Sequence, residues 1–211
     1  MNAETKTQEK ALKGIPAAVP PQQIRRFSVK EYHWMGEVGI LPPDEHTELI
    51  DGVIKEMSPR GTRHAACVRR LTNLLPHVLQ ARAQVSVQDP IVLDDSTEPE
   101  PDVALVVPRE DAYATAHPRP EDVLLVIEVA DTTLEDDRTV KLPRYARAGI
   151  PEVWLIDVAE GVLSAYRQPV QLPDGVATYR TRVEYFLGDT IAPVAFPDIE
   201  IRVADILIPE F

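Results

Sequence analysis

Asp102 follows Pro101 at the head of an apolar run, and Glu128 stands inside another, Val123-Leu-Leu-Val-Ile-Glu-Val-Ala130. A carboxylate in the middle of a segment that otherwise reads as a buried strand is costly unless a metal ion, a proton or a charged partner compensates it. Two such carboxylates on neighbouring strands, followed by Lys141, suggest a divalent-cation site. Cys67 is the one cysteine of the chain, which excludes an intramolecular disulfide and a thiolate cluster. Any metal is then held by oxygen or nitrogen, and a reducing cytoplasm is the expected setting.

The elements that must position these groups belong to one soluble, enzyme-sized domain. At 211 residues and 44% hydrophobic content the chain can bury a substantial core. Its apolar stretches all fall short of the roughly 20 residues that span a bilayer, so no membrane segment is expected. Residues 1–24, rich in Lys, Glu, Gln, Ala and Pro, read as a disordered tail ahead of a domain at 25–211. The net charge of -12 argues against a protein that coats nucleic acid non-specifically. That average hides a division. Arg60 to Gln88 holds five arginines and two histidines with no acidic residue, whereas Asp94 to Asp137 holds fourteen acidic residues against two arginines. A basic surface beside an acidic pocket is what a metal-dependent phosphodiesterase needs, although each of these charges is more often part of a solvated face.

Along the chain the pattern alternates between helix and strand. Ser28-Val-Lys-Glu31 forms a capping box for a short helix ending near Gly39. Asp51-Gly52, between apolar pairs in Thr47 to Met57, marks a hairpin. From Thr62 to Ala81, apolar residues at 67, 68, 71, 74, 75, 78 and 79 give a buried helical stripe, with Arg63, Arg70 and His77 on another face. Pro76 should kink or divide that helix. Strands are expected at Gln84 to Gln88, Ile91 to Leu93, Asp102 to Val107 and Val123 to Ala130, aliphatic enough for a sheet covered on both faces. A helix from about Val140 ends at Gly149, and Glu152 to Asp157 completes a strand, helix, strand crossover. Antiparallel strands at Val162 to Arg167, Ala177 to Phe186 and Ile199 to Val203 close the domain. Trp34 and Trp154 read as packing residues.

Glu48-Leu-Ile-Asp-Gly, Pro101-Asp102, Glu128-Val-Ala-Asp-Thr-Thr and the long segment Asp137 to Asp157, in this order, resemble the Uma-type restriction endonucleases of the PD-(D/E)XK nuclease superfamily. The likeness runs from about Phe27 to Asp157, and weakly to the end of the chain. It implies an α/β, restriction-endonuclease-like core, a mixed central sheet flanked by helices with additional antiparallel strands. It further implies Mg²⁺-dependent hydrolysis of phosphodiester bonds, with Mn²⁺ able to substitute, and nucleic acid as partner, with DNA the expected polymer. Carried over residue by residue, it makes Asp102 and Glu128 the metal ligands, Lys141 the basic member of the site and Glu48 an additional carboxylate. The superfamily's usual lysine, two residues after the second acid, is here Ala130, so the lysine comes from the following helix. Pro143 then places Lys141 near that helix's first turn. His64 matches a family histidine, and with Arg63 and Arg70 it is a candidate phosphate contact. Asp137, four residues before Lys141, reads as a helix cap or as a partner of Lys141.

Two other classes of function fit the sequence. One is a nuclease fold that has lost activity and serves as a binding or assembly module. The other is a metal hydrolase of a small phosphodiester, consistent with the acidic charge. A homodimer is an expectation for a fold that cuts two strands.

Overall fold

The computed structural model describes residues 24–208 apart from Pro43 and Pro59, so the expected tail falls outside the described residues except for Ile24. The elements are α1 (Val29–Glu37), β1 (Thr47–Ile50), β2 (Val53–Glu56), α2 (Thr62–Leu79), β3 (Gln84–Val87), β4 (Val103–Val106), β5 (Val123–Ala130), α3 (Leu134–Asp136), a π-helical turn (Asp137–Lys141), α4 (Leu142–Ala148), β6 (Glu152–Asp157), β7 (Val162–Gln171), β8 (Ala177–Tyr185), β9 (Thr190–Ile191), β10 (Ile201–Arg202) and α5 (Val203–Ile206).

Six strands form the central sheet in the order β3-β4-β5-β6-β7-β8. Only β5 and β6 run parallel, joined by the crossover through α3 and α4, and the other neighbours are antiparallel. The architecture is the mixed α/β sheet expected. Side-chain alternation sends Leu125, Ile127 and Val129 of β5 into one core with Cys67, Leu71 and Leu75 of α2. Val126 and Ala130 join Leu142, Tyr145 and Ala146 of α4 on the other face. Glu128 shares the parity of Val126 and Ala130 and therefore faces α4. Trp154 and Tyr145, almost fully buried, are the largest core side chains; each such residue contributes about 1.5–3 kcal/mol by leaving water.

The capping box at α1 is present as read, with the Glu31 amide donating to Ser28 Oγ at 3.2 Å and the Ser28 amide to Glu31 Oε2 at 3.0 Å. The hairpin is also present, with Ile50 opposite Val53 and both turn residues at positive φ, Asp51 at 47° and Gly52 at 74°. Gly52 is obligatory on two counts, because a Cβ there would lie 2.7 Å from Arg26 Cβ and 2.9 Å from the Phe27 carbonyl oxygen.

Several expectations are corrected. Pro76 does not divide α2: it lies in the last turn, removes one amide, and the helix closes at Leu79 with Gln80 in the left-handed conformation. Ile91 to Leu93 is not a strand. The amides of Ile91, Val92 and Leu93 donate to the carbonyls of Pro99, Pro118 and Thr97, so this segment buries apolar side chains without a ladder. Helical backbone begins at Leu134 rather than near Val140, because the wide Asp137–Lys141 turn, closed by the Leu142 amide on the Asp137 carbonyl, accommodates Pro143 within the helix. Lys141 is accordingly mid-helix, away from the positive end of a dipole, and Asp137 is not a cap. Of Ile199 to Val203 only Ile201–Arg202 is strand, paired with β9 in a separate two-stranded sheet, and Val203 opens α5. Trp154 is core, but Trp34 is 54% exposed.

Candidate active site

Asp102 immediately precedes β4, and since Val103 pairs with Ile127, continuing the antiparallel register sets Asp102 across from Glu128. Both carboxylates are buried at one end of the sheet. The Asp102 amide reaches Glu128 Oε2 at 3.4 Å. Asp102 Oδ2 accepts the Val129 amide at 2.9 Å and lies 3.0 Å from His64 Nε2, while Oδ1 has a longer contact, 3.5 Å, from Gln88 Nε2. Glu128 Oε1 accepts from Tyr145 Oη at 2.7 Å and lies 3.3 Å from Lys141 Nζ. Each carboxylate thus has one oxygen fixed by short bonds and one with only a long contact.

Lys141 Nζ also pairs with Glu48 Oε2 at 3.1 Å, and Lys55, opposite Glu48 in the hairpin, stands 3.7 Å from Glu48 Oε1. The hairpin is tied to the crossover helix by Asp51, which accepts from Arg144 Nε at 3.0 Å and Arg147 Nη2 at 2.8 Å. That tether sets Glu48 against Lys141. Asp137, buried, accepts from Thr133 Oγ1 at 2.8 Å and adds a further anion.

The charges are uneven. Burial pushes the Glu128 carboxyl up to about 8, with Lys141 opposing the shift and Asp137 and Asp102 adding to it. Burial raises Asp137 as well. Asp102 moves the other way: burial alone would raise it, but the His64 contact and the Val129 amide outweigh that and hold it low. Burial would lower Lys141, yet Glu128, Glu48 and Asp137 more than offset this and hold its ammonium above the usual lysine range. Without a metal ion on these carboxylates, a lysine so placed stays cationic.

A cavity of about 390 Å³ opens onto these groups, lined by Glu48, Asp102, Glu128, Asp137, Lys141 and His64 among others. At its rim lie Lys55, Arg60 and Gly61. Gly61 caps α2 with no side-chain bond, leaving the first amides of an 18-residue helix beside the cavity. His64 Nδ1 is buried without a partner.

Of the residues singled out in the sequence, Asp102, Glu128, Lys141, Glu48, Asp137 and His64 meet here. Arg63 and Arg70 do not line the cavity. Arg63 is exposed, and Arg70 donates to the carbonyls of Ala204, at 3.2 Å, and Leu207. Lys55, Arg60 and Tyr145 are site residues that the sequence reading assigned no role. Two had a signal: a two-residue turn at Asp51-Gly52 puts Lys55 opposite Glu48, and Tyr145 is one helical turn beyond Lys141. Arg60 had none beyond its place in the basic stretch.

The donor set suits a hard divalent cation. Its carboxylates offer only oxygen, they outnumber the buried ammonium of Lys141, and the oxygens with long contacts on Asp102 and Glu128 keep lone pairs free.

A family model described as "Uma2: Putative restriction endonuclease" matches residues 29–204. A solved structure described as a putative nuclease belonging to DUF820 from Anabaena variabilis is similar at 18% identity, with a TM-score of 0.64, covering 81% of this chain and 94% of that one. That likeness is one of fold. No curated protein matches the chain.

Proposed function

The chain belongs to the Uma2 family, and we propose that its cavity hydrolyses phosphodiester bonds of nucleic acid, DNA in the first instance, as a divalent-metal-dependent endonuclease. The observation that carries this reading is the convergence of Asp102, Glu128 and Lys141 on one cavity, with the one ammonium shared between Glu128 and Glu48. Asp102 and Glu128 would hold Mg²⁺, with Mn²⁺ able to replace it. Such an ion supplies an acidified water and charge stabilisation at the phosphate.

The protein's own groups do the rest. The Val129 amide and His64 hold Asp102 ionised and oriented, and Tyr145 fixes the Glu128 carboxylate. Lys141, kept cationic by its neighbours, orients the attacking water and offsets charge on the phosphate. Lys55, paired with Asp136 and Glu48, and Arg60, paired with Glu100, line the same cavity and would contact a flanking phosphate by exchanging those carboxylates for it.

The test is incubation of the purified chain with supercoiled plasmid, single-stranded DNA and RNA, in Mg²⁺, Mn²⁺ or EDTA. Cleavage of a polymer only with metal supports the reading and identifies the substrate. Turnover of small phosphodiesters alone would make it a hydrolase of another substrate class. Absence of any cleavage, with no heat of Mg²⁺ binding, would leave a binding module on a nuclease fold.

A further inference from the structure

We infer that the chain carries a second, separate metal site, built from His33, Glu98 and His117 and suited to a borderline transition-metal ion such as Zn²⁺. The ligand atoms these three residues offer all lie within 4.8 Å of one another. His33 Nε2 is 2.8 Å from both Glu98 carboxylate oxygens, and the His33 and His117 rings meet edge to face with centroids 5.9 Å apart. None of the three lines the Asp102–Glu128 cavity.

The backbones behind these side chains are anchored independently. His33 rides on α1, which the capping box starts and which the Val29 amide ties to the Asp95 carbonyl at 2.8 Å. Glu98 is bonded through its own amide and carbonyl to Leu49 of β1, at 2.7 and 3.1 Å. His117 precedes Pro118, a step that restricts its backbone, and the Pro118 carbonyl accepts the Val92 amide at 3.0 Å. Three unrelated segments with anchored backbones therefore present a two-histidine, one-carboxylate set.

The chemistry of the donors separates this site from the first. Glu98 is 3% exposed, and among the described residues the His33 ring is the one side chain that contacts its carboxylate. A shared ion would compensate that carboxylate more fully than one imidazole can. Imidazole nitrogens favour Zn²⁺, Co²⁺ or Ni²⁺ over Mg²⁺. Zinc takes nitrogen and oxygen at about 2.0–2.2 Å, so its ligand atoms sit about 3.3 Å from one another, within the 4.8 Å that bounds this set. Both histidines are exposed, so water completes the coordination. Such an ion would clamp α1 and the loop carrying His117 onto the segment that runs from Glu98 to Asp102.

The test is calorimetric titration of the metal-stripped full chain with Zn²⁺ in excess Mg²⁺, repeated for His117→Ala, Glu98→Gln and Glu128→Gln. The expected result is one Zn²⁺ equivalent whose affinity falls tenfold or more in His117→Ala and Glu98→Gln and is unchanged in Glu128→Gln. His117 is exposed, so its replacement leaves the core intact. Binding unaltered in His117→Ala, loss of binding in Glu128→Gln, or no Zn²⁺ uptake by the unmodified chain would each overturn the assignment. All three are readable whether or not the chain cleaves nucleic acid.

Discussion

Asp102 accepts the backbone amide of Val129 at 2.9 Å, so the carboxylate that opens β4 is bonded to the residue following Glu128 on β5. The bond gives Asp102 two roles, one at the cavity and one in closing the end of the sheet. It also means that the two acids cannot drift apart without breaking a buried backbone contact.

Replacement of Asp102 therefore separates those roles. Asp102→Ala leaves the Val129 amide buried and unpaired and is expected to destabilise by about 1–3 kcal/mol. Asp102→Asn keeps an oxygen for that amide and loses only the charge, so it should unfold closer to the wild-type denaturant midpoint. Equal midpoints for wild type and Asp102→Ala would show that the bond contributes nothing.

Lys141 is the ammonium that Glu48 and Glu128 share. Lys141→Met strands buried carboxylates and should cost about 3–5 kcal/mol in EDTA. Adding Glu128→Gln to it should restore part of that loss, because the two residues are in contact and their effects do not add. Urea unfolding of the four proteins in this cycle measures the coupling.

Glu128 gives a pH signature. Its ordinary value is 4.5 and burial raises it to about 8, so between these limits the folded chain holds a proton that the unfolded chain has released. Stability contributed by this group is present below pH 4.5, declines as pH rises and is fully lost above pH 8. Asp102, whose folded value is lowered, has the opposite sign: its contribution is present above its ordinary 3.8 and disappears on acidification through the lowered value. Melting temperature against pH in EDTA should fall less steeply from pH 5 to 8 in Glu128→Gln than in wild type. Mg²⁺ affinity should rise over the same interval, as metal displaces the proton. Superimposable melting curves would place the proton elsewhere.

Two glycines at positive φ provide a steric control. Gly52→Ala meets both an unfavourable φ and backbone atoms of Phe27, whereas a Cβ on Gly149, φ 82°, meets nothing within 4 Å. The conformational cost, about 1–2 kcal/mol, is common to both. Gly52→Ala should exceed Gly149→Ala in lost stability, and because it displaces the hairpin that carries Glu48 it should also slow any cleavage. Chemical denaturation of both variants checks the order.

Much of this was legible in the sequence because local signals and buried aliphatic runs agree at β5, β6, the hairpin and α1. Ile91 to Leu93 misled because an apolar run in a packed loop has the same composition as a short strand. The π turn was invisible, since Pro143 argues against upstream helix and nothing in Asp137 to Lys141 announces a wider turn. The site was legible as far as its acids and its lysine. A buried strand carboxylate is still an ambiguous signal, as Glu152 shows: it is fully buried, yet Arg167, the Trp154 indole and the Val194 amide satisfy it at 2.6–2.9 Å. What distinguishes Glu128 is an open cavity and an ammonium that it must share with Glu48, both of which depend on chain segments far apart in sequence.

The most direct measurement of the central claim is the rate of nucleic-acid cleavage by wild type and Glu128→Gln, side by side in Mg²⁺ and in EDTA. The account predicts metal-dependent cleavage by the wild type that drops at least about a hundredfold, ~2.7 kcal/mol of barrier, in a folded Glu128→Gln chain. Cleavage by Glu128→Gln at the wild-type rate, or wild-type cleavage undiminished in EDTA, would contradict it.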